Sequence, residues 1–285
     1  MKIGFIGAGR AGCGLGKYLT TKQDQADIRI TGYYSLLADD ARWASDFTDS
    51  MFFETIEDVI DSSDSIILST PDGAIKDTWD TIPKDKIKGK IICHLSGSLS
   101  SDVFSGIDSY GAYGISIHPM VAFSDKESVY EQLNEVSFTL EGHAYAVARW
   151  QTLFEAAGNA AITIKKEVKP LYHAAASVLS NQVIAVLDMG YELLKRCGFS
   201  EDEARSFSRV LVKNNVANVI QNGTVSALTG PVERGDSETV KKHLDVLTES
   251  EKELYQACGK RLLQISKLKN PDKDYSELEK QMDED

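Results

Sequence analysis

The sequence predicts a doubly wound α/β domain with a mostly parallel sheet over residues 1–165, followed by an all-α C-terminal domain over residues 166–285. Three observations carry this. Short apolar runs alternate with helical patterns up to about residue 165, the rhythm of a parallel sheet covered on both faces. A glycine-rich turn follows the first of those runs and opens a helix. Past residue 165 no strand pattern is found and helical periodicity takes over. A length of 285 residues independently suggests about two domains.

Taken in order, residues 2–6 (KIGFI) form a buried strand that runs into glycines, and residues 28–34 (IRITGYY) form the next strand. Helices follow over 39–47 and near 56–60, then a strand at 65–70 (SIILST) and a helix from about residue 73. Strands are expected at 90–95, 113–118, 137–140 and 161–164, with a helix over 143–157 between the last two. Pro170 suits the first turn of a helix, where its missing N–H would be unpaired anyway, and Gly198 suits its end. That helix, from 170 to 197, would be roughly 40 Å long at ~1.5 Å per residue. A capping box at 200–203 (SEDE) opens a second helix ending at Asn222-Gly223. A third helical region runs from about 237 to 267, with a break near 248–250 and another capping box (SEKE) there. The charged tail from residue 270 is expected to fray.

Composition narrows the function classes. There are 31 basic and 43 acidic residues, a net charge of −12, which disfavours binding to phosphate backbones and makes nucleic acid an unexpected partner. The four cysteines at 13, 93, 197 and 258 form no Cys-x-x-Cys pair, against a disulfide scaffold or a thiolate zinc site. The start, MKIGFIGAG, lacks the long apolar core of a signal peptide, and no stretch approaches the ~18 apolar residues of a membrane span. A cytoplasmic location is expected. The five histidines show no metal-binding pair on a helix, and no metal is expected.

Gly7-Ala8-Gly9-Arg10-Ala11-Gly12 fits G-x-G-x-x-G in the right context, after a strand and at a helix start. The first glycine makes the tight turn, the second lets a pyrophosphate approach the backbone, and the third permits close packing of the helix. The alternative is a glycine turn that binds nothing. An NAD site usually has an acidic residue at the end of the second strand for the ribose 2′-hydroxyl. Here that position is Ser35, and Arg10 is available to pair with a 2′-phosphate, so NADP is favoured over NAD. In the competing reading Arg10 is simply solvated and Asp39 or Asp40 faces the ribose.

The motifs GAGRAG, STPDGAI, HLSG, IHPMVAF, YHAAASVLSN and ALTGPVERGD occur in this order. The N-terminal half resembles the Rossmann domain of the 6-phosphogluconate dehydrogenase-like superfamily, which includes pyrroline-carboxylate reductase, ketopantoate reductase, prephenate dehydrogenase and deazaflavin-dependent NADP oxidoreductase. The full set resembles an uncharacterised family of Rossmann-like proteins with a C-terminal helical domain of unknown function. The resemblance implies the fold, a nicotinamide dinucleotide and pairing of helical domains into a homodimer more firmly than it implies a reaction.

Ligands in open α/β sheets lie beyond the carboxyl ends of the strands, so Ser69-Thr70-Pro71-Asp72 and His94-Leu95-Ser96-Gly97 are expected to border the nicotinamide half of the cofactor. The plainer reading is strand termination by Pro71 and Gly97. His118-Pro119-Met120 is similar to the substrate-side His-Pro-Met of prephenate dehydrogenases, but Val121-Ala122-Phe123 follows in place of small residues, which counts against prephenate itself. His173, Ser177 and Asn181 recur every four residues on the long helix, with Lys169 one step earlier and Tyr172 beside them. Such a stripe suits proton donation and positioning of a carbonyl or imine, or else a solvated face. The lysine mechanism of relatives with Lys-x-x-x-Asn does not transfer, because position 177 is serine. Thr229 and Arg234 lie in the loop after the second helix, where Arg234 is suited to hold an anionic group and Asp236 reads as a helix cap.

The expected activity is therefore NADP-dependent hydride transfer to or from a small carbonyl or imine acid in an interdomain cleft. His173 or His118 would supply the proton, with Asn181 and Ser96 orienting the reacting group. The alternative is a non-catalytic NADP sensor or partner-docking protein. Leu171, Leu179, Val183, Val186 and Leu187 give the long helix more apolar surface than one buried face needs, in line with a homodimer.

Overall fold

The computed structural model describes residues 1–283. Its first unit, residues 1–180, is built on an eight-stranded sheet of order β3-β2-β1-β4-β5-β6-β7-β8. The strands are β1 (Lys2–Ile6), β2 (Arg29–Tyr34), β3 (Met51–Phe52), β4 (Ser65–Leu68), β5 (Ile91–His94), β6 (Tyr113–Pro119), β7 (Phe138–Gly142) and β8 (Ala161–Thr163). All neighbours are parallel except β6 and β7, where His118 stands opposite Thr139. The helices of this unit are α1 (Arg10–Thr21), α2 (Gln23–Ala26), α3 (Ala38–Thr48), α4 (Ile56–Ser62), α5 (Asp72–Thr81), α6 (Ala144–Ala157) and α7 (Lys169–Ser177).

Period-two alternation sends successive strand side chains to opposite faces and so produces two cores. Ile3, Phe5, Ile67 and Cys93 face α1 and α6, meeting Leu15, Tyr18, Trp150 and Phe154. Ile6, Ile66, Leu68 and Ile92 face α4 and α5, meeting Val59, Ile60, Ile75 and Trp79. Burial on both faces explains why these strands read as continuous apolar runs. The two-residue β3 is too short to carry a periodic signal and was not foreseen.

The long helix expected over 170–197 is not uniform. After α7 comes one π turn, Val178–Gln182, and then α8 (Val183–Arg196). Ser180 Oγ donates to the Ala176 carbonyl at 2.8 Å, the kind of back-bond that loosens a helical ladder. The second unit begins at Asn181 and contains α8, α9 (Glu201–Ala227), α10 (Pro231–Arg234), α11 (Ser237–Leu244), α12 (Glu249–Lys269) and α13 (Ser276–Asp283).

Ser200 and Glu203 form the foreseen capping box of α9. That helix does not stop at Gly223. The chain kinks there at φ +76°, a conformation glycine tolerates, and resumes to Ala227. The capping box of α12 is formed by Thr248 and Glu251, two residues before the expected Ser250. Among the described residues the charged tail is not frayed. Leu278 and Met282, four residues apart on α13, are buried with Val232, Val240 and Leu263, and Met282 packs over the bare Cα of Gly259. Two apolar anchors in a charged stretch outweigh its composition.

Candidate functional site

The glycine loop joins β1 to α1 and is held from the next strand over. Gly7 adopts φ +106° and donates its N–H to the Tyr34 carbonyl at 2.7 Å. A Cβ at residue 7 would lie 3.0–3.1 Å from backbone atoms of Ser69 and Thr70, so both dihedral and space demand glycine. At Gly12 a Cβ would lie 2.9 Å from Cβ of Ser69. Ser69 Oγ also donates to the Gly7 carbonyl at 2.9 Å, which fixes the loop against the end of β4. Gly9 differs: the nearest atom to a Cβ there would be the Ser69 carbonyl oxygen, 4.0 Å away.

No side chain caps the N-terminus of α1 and no acid occupies its first turn. Ala8 is buried behind the loop, while Ala11 begins the helix beside Arg10. Thr70 Oγ1 is buried without a hydrogen-bond partner, next to Pro71, which leads into α5. Open space over Gly9, uncapped helical N–H groups and an orphaned hydroxyl fit the pyrophosphate of a dinucleotide. Arg10 is exposed, and its Nη1 donates to the carbonyls of Ser124 at 3.1 Å and Phe123 at 3.5 Å. Ser35 is half-buried after the end of β2. Asp40 pairs with Lys126 at 3.6 Å, and Asp39 is exposed.

A second cluster forms at the ends of β5 and β6 together with α7. A Cβ on Gly97 would lie 2.8 Å from Nε2 of His118 and 2.7 Å from Nδ1 of His173. The two rings are edge-to-face, with centroids 6.2 Å apart. His118 Nδ1 lies 2.7 Å from the Tyr172 hydroxyl, which also reaches Met120 Sδ at 3.9 Å. Burial and then the nearby Lys169 charge push the His118 imidazole down to about 4, so it is neutral at physiological pH.

Ser96 is buried, and its hydroxyl is committed to the turn rather than open to a ligand. It donates to Asp72 at 2.6 Å and accepts from the N–H groups of Ser98 and Leu99 at 3.2 and 3.0 Å. Asp72, expected from the sequence to border the cofactor together with Ser69-Thr70-Pro71, stands in the first turn of α5 directly after Pro71.

Lys169 is only 1% exposed, so it does not continue the His173 stripe into solvent. Its Nζ donates to the Ser96 carbonyl at 3.1 Å and to Ser116 Oγ at 2.6 Å. Burial draws the ammonium down to about 8, against the opposing pull of Glu141 and Asp72. His94 is equally internal: its Nδ1 accepts from the Ser96 N–H and its Nε2–H donates to the Ser100 carbonyl, each at 3.2 Å. Both nitrogens are used, and burial pushes the ring down to about 4.

Of the remaining candidates, Ser177 belongs to the first unit and Asn181, Thr229 and Arg234 to the second. Ser177 is half-buried at the end of α7. Asn181 is exposed in the π turn and opens the second unit. In that unit Thr229 and Arg234 are exposed, and Asp236 caps α11 by accepting the Thr239 N–H at 3.0 Å, the role read from the sequence. Among the described residues no three His, Cys, Asp or Glu side chains converge as metal ligands, and no helix is long and apolar enough to cross a membrane.

Two family models match the chain. A Rossmann-like domain matches residues 1–119, and a domain of unknown function (DUF2520) matches residues 136–262. This is the two-part arrangement that the motif order resembles. No curated protein matches in sequence. Among solved structures, a Thermotoga maritima protein is 24% identical with a TM-score of 0.72, covering 93% of this chain and 98% of its own. A candidate NADP oxidoreductase from Bacteroides fragilis is 22% identical with a TM-score of 0.71 and the same coverages. The pyrroline carboxylate reductase of Plasmodium falciparum, solved with NADP bound, is 13% identical with a TM-score of 0.60, again covering 93% and 98%. At these identities the likeness is one of fold.

Proposed function

We propose that this chain is an NAD(P)-dependent oxidoreductase that reduces, or forms, a small carbonyl or imine acid. The observation that carries the reading is the convergence of the His118 and His173 ring nitrogens over Gly97, at the carboxyl edge of the sheet whose first strand ends in the open glycine loop. A nicotinamide dinucleotide supplies or accepts the hydride. The chain's own share is to hold the pyrophosphate on Gly9 and the N-terminus of α1, to seat the reacting oxygen or nitrogen between two imidazoles, and to deliver a proton to it. The solved NADP-bound relative supports the choice of cofactor class. We favour NADP because Ser35 stands where an NAD site has its acid, and because Arg10 uses only Nη1 in its backbone contacts, leaving Nε and Nη2 for a 2′-phosphate.

Cofactor oxidation on a panel of keto and imino acids tests the proposal. Tight binding of NADPH with no turnover on any of them would replace it with a cofactor-sensing role. We further propose a cytoplasmic homodimer paired through the helical domain. Within the second unit, Phe207, Val210 and Leu211 of α9 are 71%, 61% and 74% exposed and share one face by their three- and four-residue spacing, an apolar cost that a second copy of that face removes.

A further inference from the structure

The Tyr172 hydroxyl has three partners in reach, the His118 Nδ1 at 2.7 Å, the Met120 thioether at 3.9 Å and the Thr139 hydroxyl. A thioether is a weak acceptor and an alcohol oxygen is far less basic than an imidazole nitrogen, so the hydroxyl proton points to Nδ1 at 2.7 Å. A neutral ring that accepts at Nδ1 carries its hydrogen on Nε2. That nitrogen and Nδ1 of His173 both approach the bare Cα of Gly97, 2.8 and 2.7 Å from where a Cβ would stand, so any side chain at residue 97 would collide with both rings.

The surroundings keep His118 neutral, so it has a single hydrogen to place. Lys169, Tyr172 and His173 of α7, His94 of β5 and Asp72 of α5 are the titratable groups around it, and Asp72 is the one that favours a charged ring. Glu141 of β7 lies beyond Lys169 and acts on that ammonium.

We infer that Tyr172 is a positioning residue: by donating its hydroxyl proton to Nδ1, it holds His118 as the Nε2–H tautomer, so that the ring edge shared with His173 beside Gly97 presents an N–H and not a lone pair. The inference rests on the proposed use of this histidine pair to engage the reacting atom. It divides the labour of the two histidines. His118 polarises the carbonyl oxygen or imine nitrogen through a neutral hydrogen bond. His173, whose ring is exposed to solvent, gives the proton and takes another from water.

The test is ¹⁵N NMR of the full chain labelled in histidine, with the His118 signals assigned through His118→Gln. The expected result at pH 7 is a neutral His118 protonated on Nε2. In Tyr172→Phe the ring becomes a mixture of tautomers and its titration midpoint moves upward. A wild-type His118 protonated on Nδ1, or a tautomer unchanged in Tyr172→Phe, overturns the inference. Should Tyr172→Phe fail to fold, the wild-type tautomer decides alone. The measurement needs neither cofactor nor substrate, so failure of the oxidoreductase reading on the substrate panel is a separate result. With a turned-over substrate, Tyr172→Phe is expected to lower kcat while leaving NADPH affinity unchanged.

Discussion

Lys169 Nζ and Ser116 Oγ lie 2.6 Å apart, both buried, so an ammonium ion at the start of α7 is tied to the middle of β6, two residues before His118. The same ammonium holds the Ser96 carbonyl. Its direct partners are neutral, and Glu141 is satisfied separately by the N–H and hydroxyl of Ser101 at 2.7 and 2.8 Å.

Removing Lys169 therefore leaves no contacting charge bare. Lys169→Met is expected to be neutral or to stabilise the fold by about 1–2 kcal/mol, since an apolar residue of similar volume avoids desolvating an ion. The same variant should raise the titration midpoint of His118, because one of the two largest causes of its depression is gone. Urea unfolding and histidine NMR check the pair of outcomes. A large loss of stability would mean that the hydrogen bonds outweigh the desolvation.

His94 and His118 both sit at about 4, below the ~6.5 of an unfolded histidine. Between those values the unfolded chain binds protons that the folded one refuses, so stability falls as pH drops from about 6.5 to about 4 and the effect levels off below that. Each histidine contributes on the order of 3 kcal/mol to the loss. Denaturant midpoints across that range give the slope, and a flat profile would contradict the burial argument. His94→Asn should flatten part of it.

His173→Ala is expected to leave NADPH affinity nearly intact and to lower turnover by ~10²- to 10⁴-fold, the range of general acid catalysis. His118→Ala should reduce kcat and also weaken substrate binding, because it removes the hydrogen bond to the reacting atom. Steady-state rates and cofactor titration separate the two. If neither variant changes rate or substrate affinity, the proton source lies elsewhere.

Purified protein should bind NADPH more tightly than NADH, and Arg10→Ala should weaken NADPH the more, since only NADPH carries the 2′-phosphate. Calorimetric titration of both cofactors on both proteins decides it. Equal loss for the two would assign Arg10 to its contacts with Ser124 and Phe123 alone.

Light scattering is expected to give twice the 31.3 kDa chain mass, and Phe207→Glu with Leu211→Glu should return it to the single-chain value. A wild-type monomer at micromolar concentration would remove the dimer proposal.

The alternation of buried strands and helices, the glycine loop, the capping box at Ser200 and the cap at Asp236 were legible in the sequence. Each depends on neighbours within a few residues, through strand periodicity, positive φ or a side chain reaching the next turn. The histidine stripe was legible as spacing only. Tertiary structure decided the rest, because the deciding partners are far apart in the chain. Lys169 looked like the next member of an exposed stripe but is drawn inside by Ser96 and Ser116, 73 and 53 residues away. Ser96 looked free to orient a ligand, yet Asp72 and two backbone N–H groups claim its hydroxyl. Residues 270–283 looked too charged to fold, but Leu278 and Met282 find a core that only the packed helices create. Local pattern dictates which elements form; the polar and apolar groups that meet when they pack determine which side chains remain available for chemistry.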